Sequence, residues 1–195
     1  MDEFISATFI SFLTLFVIMD PFASLPAFFS LTKKCKDKEM KQTATKAILI
    51  AGILAVVFLF GGLEILKVLS ITLDDFKIAG GIVLMLLGLE NVLNFTLSHA
   101  SNKEEGLESA VVLIATPLLT GPGLITTLIV LSQTKGYVPV LIALIAALIL
   151  SWIILYNATL ARKILGDRVI TVFSKIMGLI LIALGISFIK GGLGI

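Results

Sequence analysis

The chain has 195 residues, of which 58% are hydrophobic and 14% charged, with a mean hydropathy of +1.11 and a formal net charge of +2. Soluble domains carry about 25% charged residues, so the composition argues against a soluble domain and the small net charge against a nucleic-acid-binding surface. It points to an all-α integral membrane protein, in which each crossing needs about 20 mostly apolar residues.

Asp2 and Glu3 place acid ahead of the first apolar run, so a cleavable leader is not expected. From Glu3 to Lys33 the only charge is Asp20, which gives a long first span. Span two is expected from about Lys46 to Leu66 and span three from about Phe76 to Phe95. Spans four and five fall in the charge-free stretches 109–134 and 136–161, and span six at about Val169 to Ile189. Lys33, Lys34, Lys36, Lys38, Lys41, Lys46, Lys103, Arg162, Lys163, Arg168 and Lys175 collect on one side. The positive-inside rule makes that side cytoplasmic. The expectation is therefore a multi-pass cell-membrane protein with both termini outside and a cytoplasmic Lys-rich loop at 33–46. Cys35, the only cysteine, excludes an intrachain disulfide. Its lysine neighbours could lower its pKa, but a tolerated free thiol is favoured over a reactive one.

Two blocks recur at about half the chain length. "DPFASLPAFF" from 20 matches "TPLLTGPGLI" from 116, pairing Pro21 with Pro117, Pro26 with Pro122 and Ser24 with Thr120. "FKIAGGIVLMLLG" from 76 matches "FSKIMGLILIALG" from 173, pairing Gly81 with Gly178 and Gly88 with Gly185. Spans two and five show no comparable match. A duplicated three-span unit, 1–97 and 98–195, would enter the membrane from opposite sides in its two copies. That inverted-topology repeat is common among secondary transporters.

The prolines are expected to break spans one and four near mid-membrane, because proline removes a backbone donor and clashes with the preceding turn. Pro26 and Pro122 would then start the second half-helices, where a missing N–H is harmless. Such breaks survive in lipid only when buried in protein or beside a wet cavity. Half-helix N-termini suit a carboxylate, and half-helix carbonyls suit an ammonium or a cation. Asp20, Pro21, Ala23, Ser24, Thr120, Gly121 and Gly123 are accordingly the candidate substrate-binding residues. Asp20, a carboxylate deep in an apolar span, is also the candidate coupling-ion residue, or it caps the helix that follows. Glu90 and Asn91, near the inner end of span three, are candidates for a cytoplasmic pathway.

The glycines seven apart in spans three and six read as seams for close helix packing. Trp152 and Tyr156 read as an interfacial aromatic belt, and His99 as a solvated loop residue. No His, Cys or carboxylate cluster has metal-ligand spacing, no phosphate-binding loop is present, and no nucleophile–base pair suggests an enzyme. Neither a metal nor another cofactor is expected.

"DPFASLPAFFSLT", "FKIAGGIVLMLLGLENVL" and "ATPLLTGPGLITTLIVL", together with "SKIMGLILIALGISFIKGGLGI", resemble the MarC family over nearly the whole chain. The family usually shows Asp-Pro-Ile-Gly-Asn-Leu-Pro in the first block, where this chain has Phe22, Ala23 and Ser24. The resemblance implies six spans and kinship with lysine-exporter-like proteins, some members of which carry glycine and alanine with a cation gradient. The resulting expectation is a secondary transporter of small neutral amino acids (glycine, alanine, with serine a third candidate). It would work by alternating access as one repeat moves against the other, with H⁺ favoured over Na⁺. Its partners are the amino acid, the coupling cation and the lipid bilayer; oligomeric state is left open. An exporter of other small metabolites or drugs, or a passive channel, is the alternative.

Overall fold

The computed structural model describes residues 2–32, 35–93 and 119–195. Seven helices and no strand are found among them. In chain order they are α1 Asp2–Met19, α2 Pro21–Leu31, α3 Asp37–Val68, α4 Leu73–Leu93, α5 Pro122–Lys135, α6 Tyr137–Tyr156 and α7 Ala158–Leu193. Gly166, at φ 72 and ψ 160, divides α7 into a short first segment and a long apolar one from Arg168. α1, α3, α4, α6 and the Arg168–Leu193 part of α7 are each long and apolar enough to cross a membrane. Pro117, Asn94, His99 and the first half of the expected fourth span lie outside the described residues.

Local chemistry sets the helix ends. α3 starts nine residues before the apolar run, so much of the expected 33–46 loop is helix. Its start is closed by Glu39, whose Oε2 accepts from the Lys36 N–H at 2.8 Å, and lysine is a good helix former. α4 opens with a reciprocal cap. The Asp75 N–H donates to Thr72 Oγ1 and the Thr72 N–H to Asp75 Oδ2, both at 3.1 Å. Gly136, at φ 85, is the single residue between α5 and α6, a reversal that favours glycine.

The outer surface is apolar, as lipid demands. Leu49, Ile53, Val57 and Phe60 face outward from α3. The buried side of the same helix is small: Ala44, Ala47, Ala51 and Ala55 are fully buried. α6 repeats this pattern 96 positions later. Ala47, Ile48, Ala51, Ala55 and Leu59 answer to Ala143, Leu144, Ala147, Ser151 and Leu155, every one of them buried. Leu84 and Leu181, 97 positions apart, are likewise buried on α4 and α7.

α4 and α7 make the most extensive contact in the molecule, and glycine is the reason. A Cβ added at Gly81 would fall 2.5 Å from the Gly185 carbonyl oxygen, and one at Gly185 would fall 2.5 Å from the Gly81 oxygen. Gly88 and Gly178 face each other in the same reciprocal way, at 2.5 and 2.7 Å. Backbone therefore lies directly on backbone along an antiparallel seam, the close approach that small residues allow between membrane helices. Other contacts pair up when the two halves of the chain are exchanged. α3 packs on α5 as α6 packs on α2, and α4 packs on α5 as α7 packs on α2.

Candidate functional site

The first break is a single residue. α1 ends at Met19, Asp20 sits at φ 37, and α2 begins at once with Pro21. Aspartate is one of the few non-glycine residues that visit positive φ readily. Proline in the first turn of a helix costs nothing, because that N–H has no intrahelical acceptor. This corrects the expectation for Pro26, which lies inside α2 rather than at its start. Pro21 occupies the starting position instead, and its ring deprives the Val17 carbonyl of its i+4 donor.

Asp20 is buried, with 5% of its surface exposed. Its Oδ2 accepts a hydrogen bond from Asn91 Nδ2 on α4 at 2.9 Å, across 71 positions of sequence. Its backbone carbonyl accepts from both the Ser24 N–H, at 3.2 Å, and the Ser24 hydroxyl, at 3.1 Å. Ser24 is buried too. The expected free carbonyl at this break is thus already engaged by the protein at Asp20.

The second break is built differently. Thr120 and Gly121 precede α5, Gly121 is its N-cap at φ −69 and ψ 171, and Pro122 opens the helix as expected. The Leu124 and Ile125 N–H groups return to the Gly121 carbonyl at 2.9 and 3.2 Å. Thr120 is 3% exposed, and its Oγ1 has no hydrogen-bond partner among the described residues. Nearby hydroxyls are tied down, as Thr127 shows by donating to the Gly123 carbonyl at 2.8 Å.

The two breaks adjoin. A Cβ placed on Gly123 would lie 3.9 Å from the Ile18 side chain, two residues before Asp20, and 2.5 Å from Leu84 Cδ2. Gly123 is therefore required by Leu84. From Phe4 to Met19 α1 rises about 24 Å, and α5 rises about 21 Å from Pro122 to Lys135, against a hydrocarbon core of about 30 Å.

Of the expected site residues, Asp20, Pro21 and Ser24 form the first break, and Thr120, Gly121 and Gly123 the second. Ala23 lies on α2, its side chain outside the described set. Asn91, expected in a pathway, belongs to the first break. Glu90 precedes it on α4, half-buried. Among the described residues no three His, Cys, Asp or Glu side chains converge as a metal would need.

On the face carrying the lysines, Trp152 Nε1 donates to Thr45 Oγ1 at 3.0 Å, and Lys41 Nζ lies 5.0 Å from the centre of the Tyr156 ring. This pair joins α6 to the first turns of α3. Burial and the nearby Glu39 carboxylate push the Cys35 thiol above its ordinary value, opposite to the lowering its lysine neighbours could give.

Comparison with known proteins agrees with this picture. The family model described as MarC family integral membrane protein matches residues 5–194. The chain is 32% identical over 197 residues to the UPF0056 inner membrane protein YhgN of Escherichia coli K12, covering 99% of this chain and 97% of that one. It is 33% identical to a UPF0056 membrane protein of Aquifex aeolicus, covering 99% and 95%. It is 35% identical to UPF0056 membrane protein MJ1677 of Methanocaldococcus jannaschii, covering 94% of each. No solved structure matches.

Proposed function

The chain belongs to the MarC family of integral membrane proteins and is a multi-pass protein of the cell membrane, and we propose that it is a secondary transporter of small neutral amino acids such as glycine and alanine. The observation that carries this reading is Thr120: a buried hydroxyl without a partner among the described residues, immediately ahead of the N-terminus of a 14-residue helix. A helix N-terminus favours a negative group, and a buried hydroxyl without a partner costs about 1–3 kcal/mol. A substrate carboxylate there would satisfy both. Asp20, buried at the adjoining break, would take the ammonium group and relay the coupling proton. Leu84 against Gly123 leaves little room, which favours the smallest side chains.

Six spans in two inverted three-span units, 1–97 and 98–195, complete the reading. The support is the shared burial of α3 and α6 at a spacing of 96 and of α4 and α7 at 97, with the reciprocal glycine pairs. The sixth crossing would consist of α5 and the residues before it. The lysine distribution supports both termini outside.

The test is uptake of labelled glycine and alanine by proteoliposomes, with and without imposed proton and sodium gradients. We expect saturable uptake driven by the proton gradient, with counterflow, suppressed by excess unlabelled glycine. Uptake that never saturates and shows no counterflow would mark a passive channel. No uptake by folded, correctly inserted protein would remove the amino acid from the account.

A further inference from the structure

We propose that Asn91 is the positioning residue for Asp20 and the joint through which α4 and the long segment of α7 move as one body against α1, α3, α5 and α6. The inference concerns the working of the site proposed above and rests on that reading for its functional meaning. The moving parts would then not be the two sequence repeats. Each body would take helices from both halves of the chain.

Three observations lead here. First, the α4–α7 seam is backbone against backbone at the Gly81–Gly185 and Gly88–Gly178 pairs. A third approach follows at its end, where a Cβ on Gly192 would fall 2.7 Å from the Asp74 carbonyl oxygen. Between α4 and α5 the close approaches at Gly80 and Gly123 meet side chains, Thr126 and Leu84, whereas along the α4–α7 seam backbone meets backbone, so that pair is expected to translate or tilt together.

Second, Asn91 is set by that seam. A Cβ on Gly178 would fall 2.8 Å from Asn91 Cβ, so α7 presses on the residue from behind while its amide reaches forward to Asp20. A shift of either seam helix is thereby delivered to the carboxylate. Third, Asp20 is where α1 gives way to α2. Its positive φ interrupts the helix, and α2 leans on α7 through Phe22 and Phe173, whose ring centres lie 5.4 Å apart. The backbone next to the carboxylate is therefore the segment that must bend if α7 moves relative to α1.

Distances between spin labels test this without a substrate, so the result is separate from the uptake experiment. In a Cys35→Ser background, labels at Leu93 and Val172 report within the proposed body, and labels at Leu93 and Leu49 report across the two bodies. All three label positions are exposed. Asn91→Leu removes the amide at similar volume, and Asn91→Ala is the second variant should the first fold poorly. We expect the Leu93–Leu49 distribution to shift or broaden in either variant, while the Leu93–Val172 distribution keeps its mean and width. An unchanged Leu93–Leu49 distribution would overturn Asn91 as the joint, and a broadened Leu93–Val172 distribution would overturn the single body. An unchanged Leu93–Leu49 distribution alongside intact glycine uptake would leave the transporter reading standing and this one refuted.

Discussion

The two breaks descend from matching sequence, "DPFASLP" and "TPLLTGP", yet they are finished in opposite ways. At the first, the protein answers its own polar groups. Asn91 donates to the Asp20 carboxylate, and Ser24 donates twice to the Asp20 carbonyl. At the second, the residue matching Ser24 is Thr120, and its hydroxyl has no partner among the described residues. The helix also restarts at different points: directly at the first proline of the pair in one copy, and at the second proline in the other. Leu25, buried within α2, stands where Gly121 caps α5. A leucine in the core holds the helix through Pro26, whereas glycine lets the chain turn before Pro122. The difference suggests a division of labour, in which the first break closes on its own backbone carbonyl and the second leaves its hydroxyl for a ligand.

Substitutions can break that comparison, and Asp20→Ala should do the most damage. It leaves the half-buried Asn91 amide without its Asp20 acceptor and forces alanine into positive φ, a combined cost of about 2–4 kcal/mol in stability. Asp20→Asn retains an acceptor and a residue tolerant of that backbone, so thermal unfolding in detergent should place it much nearer the wild type. Gly178→Ala follows. Its new methyl meets the Gly88 carbonyl oxygen and Asn91, and overpacking of this kind costs about 1–3 kcal/mol. Gly61→Ala is the matched control in α3. Nothing lies within 4 Å of the added Cβ, so it should be neutral or gain about 0.5–1 kcal/mol from helix propensity. Equal losses at the two glycines would remove the seam from the account.

The smallest stability effects separate the two breaks most sharply. Ser24→Ala should lose about 1 kcal/mol, the worth of a typical hydrogen bond, and keep its transport. Thr120→Val should lose no stability, because the hydroxyl it removes has no partner among the described residues, and should lose transport.

The sequence makes the broad design legible because charge is scarce. With so few charged residues, the ends of the spans are marked by nearly every Lys, Asp and Glu, and the glycines seven apart announce the seam. The relation between α3 and α6 is hidden for a physical reason. In lipid the outward positions Leu49, Ile53 and Val57 are as apolar as the buried ones, so hydropathy carries no period. Only burial picks out Ala47, Ala51 and Ala55 as partners of Ala143, Ala147 and Ser151. The start of α3 is masked by lysines, which suit a helix as well as a loop. The Asn91–Asp20 bond has no local signal at all, since it joins residues 71 positions apart. The one available hint is the polar pair Glu90–Asn91 near the end of a largely apolar span three. Nothing in "DPFAS" announces that Ser24 turns back onto Asp20 and engages its carbonyl.

The measurement that bears most directly on the central claim is thermal unfolding of purified wild type, Ser24→Ala and Thr120→Val as glycine is added. A ligand that binds the folded state stabilises it by about 2.7 kcal/mol at a concentration 100 times its Kd. We predict a glycine-dependent rise in Tm for the wild type and for Ser24→Ala, and none for Thr120→Val. A Thr120→Val protein that keeps the full wild-type shift would contradict the assignment of the second break as the ligand's seat.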